Sequence, residues 1–462
     1  MDTAFHLSHR STASLLAGLI CTLPAVSVHA QTGNAFIDDA KAGLVARSSY
    51  FDRRSAGDGS GAGNFRQQGW GLGGWLYGNT GEIGQVLSFG AAYDFVVPLH
   101  APSDTSYNYI LRDPGQDAVS ALGEINAKLR LGNHALVVGR QSINQAWYME
   151  DVVRFYNKLD QSMIGRRDVR AMHPIQYEAA TVQGRLAEDT VRYYGGYVWK
   201  ARQINDNQFR NLYSAAYETT CWESNPTPCS KQGDSDGAAY AGLQWKPNKN
   251  MMLEGSYYAF QDMLNMVYVD FDYVFRLADK NYVRLGTQYM YQSGNGANRI
   301  TGGRDFSTDY WGVYGEVRLL PWLIPYAMAG MTSKDEDIRS PYSIGPSYLV
   351  QRIGENSKAG ERTWIVGAIF DFGSMGAKGL QFDMNYGQRR NRHTVTAAGA
   401  SKASDWDELA TDLVYIFPQD GFFKNLRARA RYAKVWETGG PLVGEKRTDD
   451  IRFDLGLNIP FN

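Results

Sequence analysis

Arginine side chains take every second position near the C-terminal end of the sequence. Residues 426–432 read Leu-Arg-Ala-Arg-Ala-Arg-Tyr, with Arg427, Arg429 and Arg431 at alternate positions. Successive side chains of a β-strand point to opposite faces, so these guanidinium groups would lie on one face, about 7 Å apart. A guanidinium group keeps its charge and binds a carboxylate through two hydrogen bonds. Facing a confined aqueous space, such a row could bind small organic anions and pass them on.

Further basic residues lie on the polar faces of other alternating segments. Arg452 belongs to residues 451–461, and Arg47 belongs to a segment near the N-terminal end. Additional candidates for the same basic ladder are Lys128, Arg130 and Arg192. Charged faces also pair among themselves, and Glu408 and Asp412 share the polar face of the segment before the triplet. Part of the positive charge could therefore be neutralised within the protein.

The first thirty residues have the pattern of a secretory signal peptide. Arg10 precedes an apolar run over residues 13–28, and the small-residue site Val-His-Ala at 28–30 precedes Gln31. We expect cleavage after residue 30 and a single mature domain over residues 31–462 in an oxidising compartment.

Composition favours strands with one apolar and one wet face. The sequence has 29 Tyr, 20 Phe, 11 Trp and 49 Gly but is only 44% hydrophobic, and no later segment approaches eighteen consecutive apolar residues. Many aromatic residues in a chain without long apolar runs are typical of membrane-spanning strands. The net charge of −1 argues against a nucleic-acid partner.

Two cysteines remain in the mature chain, Cys221 and Cys229, within a polar, turn-rich segment. We expect a loop disulfide, since two unpaired thiols are unusual outside the cytoplasm. No histidine lies nearby, so no metal site is expected there, and nothing in the sequence indicates a cofactor.

Apolar and polar residues alternate along most of the chain, and the alternation predicts the fold. Eight short turns and nine mostly longer connections separate eighteen strands, with both chain ends on the side of the short turns. This arrangement predicts an all-β transmembrane β-barrel of eighteen antiparallel strands with short periplasmic turns and long extracellular loops. Closure is required because hydrocarbon cannot satisfy the backbone groups of a free sheet edge. A soluble β-sandwich or solenoid would need a repeat period or polar edge strands, and neither is seen.

Six segments stand out by their order and spacing: FIDDAK (36–41), YFDR (50–53), DVRAMHPIQYE (168–178), YYAFQDM (257–263), PYSIGPSYLVQ (341–351) and KAGERTW (358–364). In this order and spacing they resemble the OprD-like porins of Gram-negative outer membranes, a group of substrate-specific carboxylate channels. The similarity spans essentially the whole mature chain. The sequence departs from the family pattern at its end, where Asn462 follows the aromatic Phe461.

The resemblance implies an eyelet narrowed by inward-folded loops, with a ladder of basic residues on the barrel wall. The third loop, roughly residues 142–174, and the seventh, roughly 333–360, are long enough to fold inward. The constriction candidates in these loops are Asp168, Arg170, Tyr348 and Glu355. Because the last strand should close against the first, Arg452 and Arg47 should join the triplet on one sector of wall.

The leading hypothesis is an outer-membrane porin for passive, substrate-preferring diffusion of small carboxylate-bearing solutes, such as amino acids, organic acids or aromatic acids. A general, unselective porin is the alternative. An enzyme is not expected, because no nucleophile lies at a spacing from any of the four histidines of the mature chain that would indicate a catalytic pair. The motif Gly-Trp-Gly-Leu-Gly-Gly at 69–74 lacks the following helix of a dinucleotide site. Expected partners are outer-membrane lipid, lipopolysaccharide and small anionic solutes, and the protein would be a monomer or a homotrimer.

Overall fold

The computed structural model describes residues 34–461, except 58–63, 103–109, 112–114, 144–171, 205, 217–234, 278–280, 342–346, 348, 394, 397–398, 401–402, 419, 421–422 and 440–444. The expected signal peptide and both mature cysteines lie outside the described residues. So do three of the four constriction candidates, Asp168, Arg170 and Tyr348.

Eighteen long antiparallel strands form one sheet, because the predicted two-residue alternation continues along each of them. They are β1 (Lys41–Gly57), β2 (Phe65–Asn79), β3 (Leu87–His100), β4 (Val119–Leu131), β5 (His134–Gln141), β6 (Gln176–Leu186), β7 (Val191–Arg202), β8 (Ala238–Asn248), β9 (Met251–Phe260), β10 (Leu264–Arg276), β11 (Tyr282–Gly294), β12 (Ser307–Arg318), β13 (Leu323–Thr332), β14 (Arg362–Asp371), β15 (Leu380–Arg392), β16 (Ser404–Ile416), β17 (Leu426–Gly439) and β18 (Glu445–Pro460).

Each strand pairs with its neighbours in sequence, and the last strand closes the sheet on the first. The β1–β18 register runs from Gly43 opposite Pro460 to Gly57 opposite Lys446. The closed barrel of eighteen strands is thus confirmed, and the wall has no free long edge of the kind that hydrocarbon would leave unsatisfied.

Short connections alternate with mostly longer ones, as predicted. Those at one end, the turn end, span two to nine residues, whereas 142–175, 203–237 and 333–361 are the longest at the other, the loop end. The remaining elements are brief: helices Ala35–Asp38 and Leu212–Ala215, 3-10 turns Arg299–Thr301 and Phe372–Met375, a strand Arg210–Asn211 beside β7, and a hairpin of Val395–Thr396 and Gly399–Ala400. Within the described residues, no helix is long and apolar enough to cross a membrane.

The outward faces of the strands are apolar. Exposed examples from β3, β10 and β18 are Phe89, Tyr93, Val267, Val269, Phe453 and Leu455. Alternation therefore predicts correctly which side chains face away from the lumen.

The inward faces differ from the sequence expectation on one half of the barrel. We expected charged, amide or glycine residues there, but β8 to β13 carry large inward apolar residues, including Tyr240, Tyr258, Tyr268, Met290, Tyr310 and Met328. They are buried against residues from the loop-end connections, including Ile143, Ile204, Leu212, Met263, Phe306 and Leu349. The described parts of these connections thus pack inside the barrel and form a hydrophobic core against one side of the lumen.

Candidate functional site

The strand registers gather the C-terminal arginines on one sector of the inner wall. Arg427, Arg429 and Arg431 share the inward face of β17, as predicted from their spacing. Arg452 stands directly opposite Arg431 on β18. Arg47 faces inward on β1, opposite Gly456, which in turn lies opposite Arg427.

Aspartate side chains accompany the buried arginines. The Arg429 Nε donates to both oxygens of Asp412, at 2.7 and 3.0 Å. Arg431 forms an ion pair with Asp454 on β18. Arg452 donates through Nε and a terminal nitrogen to the two oxygens of Asp450, at 2.8 and 2.9 Å.

Asp450 is the most crowded of these carboxylates. It is fully buried and also binds Arg53 of β1 at 2.8 Å and Arg352 of the 333–361 connection at 3.6 Å. The guanidinium group of Arg452 additionally stacks 4.3 Å from the ring centroid of Phe51. The two aspartates of β18 and Arg53 were not among the residues predicted from the sequence, although each has the same strand parity as a predicted residue. Arg352 had no such signal, because only the inward folding of its loop brings it to the wall.

We call this set the arginine wall. It comprises Arg47, Arg53, Arg352, Arg427, Arg429, Arg431 and Arg452, with Asp412, Asp450 and Asp454. Seven guanidinium groups and three carboxylates leave a formal charge of +4. A residual charge of one sign in a confined space raises the local concentration of anions.

The wall is open at one place. Arg429, Arg431 and Arg452 are at most 4% exposed, whereas Arg47 and Arg427 are only half-buried. Between these two stands Gly456, and a Cβ atom built there would meet no other atom within 4 Å. The structure therefore has an open gap, flanked by two arginines, in front of an inward-facing glycine.

Glu408 does not neutralise the triplet in the way that the sequence suggested. Its two carboxylate oxygens accept the backbone N–H groups of Ile353 and Gly354, each at 2.7 Å, and the buried Arg389 lies 3.7 Å away. Gln351 also donates to the backbone carbonyl of Glu408, at 3.0 Å. Glu408 is therefore an anchor for the seventh loop, and Asp412 alone of the two neighbours pairs with the triplet.

The seventh loop folds inward, as the resemblance implied. Glu355, the remaining constriction candidate, pairs with Val350 across the tight turn that Glu408 holds. The same turn carries Arg352 to the arginine wall.

Three predicted ladder residues lie elsewhere. Lys128 and Arg130 are on β4, and Arg192 is on β7, three and six strands away from β1. Arg130 forms an ion pair with Glu82 at 3.0 Å. The structure thus separates them from the arginine wall and places Arg130 and Arg192 near the turn end.

A second buried ion pair lies at the base of the third loop. Arg202, at the end of β7, pairs with Asp94 of β3, and both side chains are fully buried. Gln176 and His173 also contact this guanidinium group. Burial and the adjacent cation lower the pKa of His173 well below its usual 6.5. No pattern in the sequence indicated this cluster, since its members come from distant segments.

The glycine motif at 69–74 lies inside β2, as expected for a strand rather than a nucleotide site. Its role is close packing: a Cβ on Gly71 would come within 2.6 Å of the Ile110 Cγ2 atom. Ile110 and Leu111 form a small buried cluster with Phe51, Val96, Val119 and Met172.

Comparison with solved structures supports the fold. The chain is similar to Pseudomonas aeruginosa OpdK with vanillate, at 21% identity and a TM-score of 0.72, covering 92% of this chain and 100% of that one. It is also similar to Pseudomonas aeruginosa OccK9 (OpdG), at 18% identity and a TM-score of 0.73, with the same coverage. No curated protein matches the sequence.

A family model provides the assignment. The model of the outer membrane porins of the OprD family matches residues 166–460, more than half of the chain, and confirms the resemblance seen in the sequence. The protein is therefore a member of the OprD family of outer membrane porins.

Proposed function

We propose that this porin allows passive, substrate-preferring diffusion of small carboxylate-bearing solutes, such as amino acids, organic acids or aromatic acids. The observation that carries the proposal is the open gap between Arg47 and Arg427 in front of Gly456. Two guanidinium groups on either side of an unfilled space suit a carboxylate, which can accept hydrogen bonds from both.

The rest of the arginine wall supports the same proposal. The whole wall, Arg47 and Arg427 included, has a formal charge of +4, which favours anions over neutral solutes along this side of the lumen. The aspartates limit how tightly any one site would hold an anion, and passage requires binding that is weak enough to release. Vanillate, present in the OpdK structure, is itself an aromatic carboxylate.

A general, unselective porin is the second candidate. The observation that favours it is the pairing of Arg429, Arg431 and Arg452 with Asp412, Asp454 and Asp450, which offsets much of the wall's charge. The two candidates differ in whether carboxylates pass faster than neutral solutes of equal size.

Liposome swelling distinguishes the candidates without altering charge. The variant Gly456→Val fills the gap, and Gly255→Val is its matched control, because Gly255 also has open space but lies on the outward face of β9. We expect the wild type and the control to admit organic acids faster than sugars of equal size. Gly456→Val should lose most of this preference, and equal swelling by acids and sugars in the wild type would favour the unselective porin.

A further inference from the structure

A second basic cluster lies inside the turn end of the barrel, away from the arginine wall. Arg130 on β4, Arg185 on β6 and Arg192 on β7 line one cavity of about 440 Å³. Gly132 and Asn133 of the β4–β5 turn also line it. The cavity is separated from the Arg47–Arg427 gap by several strands of wall.

Two of these arginines are placed so that their charges repel. Arg185 and Arg192 are direct cross-strand partners, and like charges in that position destabilise a sheet. Arg192 is half-buried and forms no ion pair with the described part of the chain. Arg185 reaches only Asp189, at 3.4 Å, and both side chains of that pair are more than half exposed. An exposed ion pair of this kind offsets little of the repulsion between Arg185 and Arg192.

Two carboxylates of this region, Glu82 and Glu254, are already engaged. Glu82 binds Arg130 on the far side of the cavity. Glu254, buried on the inward face of β9, accepts hydrogen bonds from Tyr194 at 2.9 Å and from Gln244 at 2.8 Å. Glu188 and Asp189 of the β6–β7 turn balance the formal charge of the cross-strand pair, but neither forms an ion pair with Arg192 at the rim of a cavity large enough for a small anion.

We propose that this cavity is a binding site for a small oxyanion, a carboxylate or a phosphate, held between Arg185 and Arg192. The anion removes the repulsion between the two guanidinium groups and accepts hydrogen bonds from both. Arg130, paired with Glu82, lines the other side of the cavity. The site lies at the turn-end mouth of the lumen and is separate from the arginine wall, so it binds independently of the proposed gap.

Equilibrium binding of radiolabelled inorganic phosphate and radiolabelled succinate to the purified porin in detergent, at low ionic strength, tests the proposal. We expect Arg192→Gln to weaken binding of at least one probe about three- to tenfold, as loss of a charge-assisted hydrogen bond at a partly exposed site implies. The matched control is Arg276→Gln, because Arg276 is another turn-end arginine, on β10, bound to the Asn250 side chain at 3.0 Å. It removes the same charge and should leave the affinity unchanged.

The double variant Arg47→Gln/Arg427→Gln separates this proposal from the proposed function. It should leave the Arg192-dependent binding intact. Equal losses of affinity in Arg192→Gln and Arg276→Gln would show that binding depends only on the general positive charge at the turn end, and would overturn the proposal. No binding that depends on Arg192 would also overturn it, while the carboxylate preference measured in liposomes could still stand.

Discussion

Removing the Glu408 carboxylate should release the seventh loop from the barrel wall while leaving the barrel closed. The carboxylate is fully buried and accepts the N–H groups of Ile353 and Gly354 at 2.7 Å. In Glu408→Ala both donors lose their partner, and Arg389 loses one of its two nearby carboxylates, since Glu361 remains at 3.5 Å. The strand ladder on either side of position 408 does not depend on this side chain.

The free energy that the docked loop loses in Glu408→Ala can be estimated from these contacts. Each orphaned buried donor costs about 1–3 kcal/mol, so the two together cost about 2–6 kcal/mol, and the docked loop should lose on the order of 3 kcal/mol relative to the displaced loop. At 1.4 kcal/mol per factor of ten, the displaced population should rise on the order of a hundredfold. Glu408→Gln, which keeps one acceptor oxygen, should give an intermediate value.

Single-channel recording in planar bilayers measures this effect. The displaced loop carries Arg352 away from the arginine wall, so Glu408→Ala should show frequent transitions between current levels and faster tryptic cleavage after Arg352. The matched control is Glu437→Ala. Glu437 is a partly exposed glutamate at the rim, and its ion pair with Arg392 is long, at 4.0 Å, so its loss should have little effect. Steady currents and wild-type cleavage in Glu408→Ala would refute the anchoring role.

Three other predictions concern the loops. Arg202→Ala should lower the free energy of unfolding in urea by about 3–5 kcal/mol, because it leaves Asp94 buried without its cation. The double variant Arg202→Met/Asp94→Asn removes both charges and should recover most of that loss. Equal unfolding midpoints for the two variants would contradict this reasoning. The pKa of His173 is well below 6.5 in the folded protein, so acidification below about 6.5 protonates His173 only when it leaves its buried site, and this weakens its packing against Arg202. Current noise should therefore rise as pH falls in the wild type but not in His173→Gln, and identical pH profiles would argue against this. The Cys221–Cys229 disulfide remains a prediction, and non-reducing mass spectrometry should find the two linked, with two free thiols as the contrary result.

Strand alternation was sufficient to predict the barrel and most of the wall. The period of two assigns Arg427, Arg429 and Arg431 to one face whatever the distant packing, and closure of the barrel places β18 beside β1, antiparallel to it because the strand count is even. The partners of those arginines were predictable in principle, since Asp450 and Asp454 share the parity of Arg452.

Features that depend on how the loops fold back were not predictable. The strand parity of Glu408 places it on the inward face beside the arginine triplet. Its partners, however, are backbone N–H groups of the seventh loop, whose position cannot be derived from the strand register. The apolar inward residues of β8 to β13 likewise make sense only once loop residues cover them. Arg130 and Arg192 have inward parity but occupy another sector, and parity alone does not distinguish sectors.

The reversal potential under a gradient of a carboxylate salt measures the anion preference of the open pore and is the most direct test of the proposed function. We predict that Arg47→Gln/Arg427→Gln, which lowers the formal charge of the arginine wall from +4 to +2, shifts the reversal potential toward that of an unselective pore. Arg47→Lys/Arg427→Lys should retain most of the preference because it keeps the charge. An unchanged reversal potential in the glutamine variant would contradict the assignment of carboxylate preference to this wall.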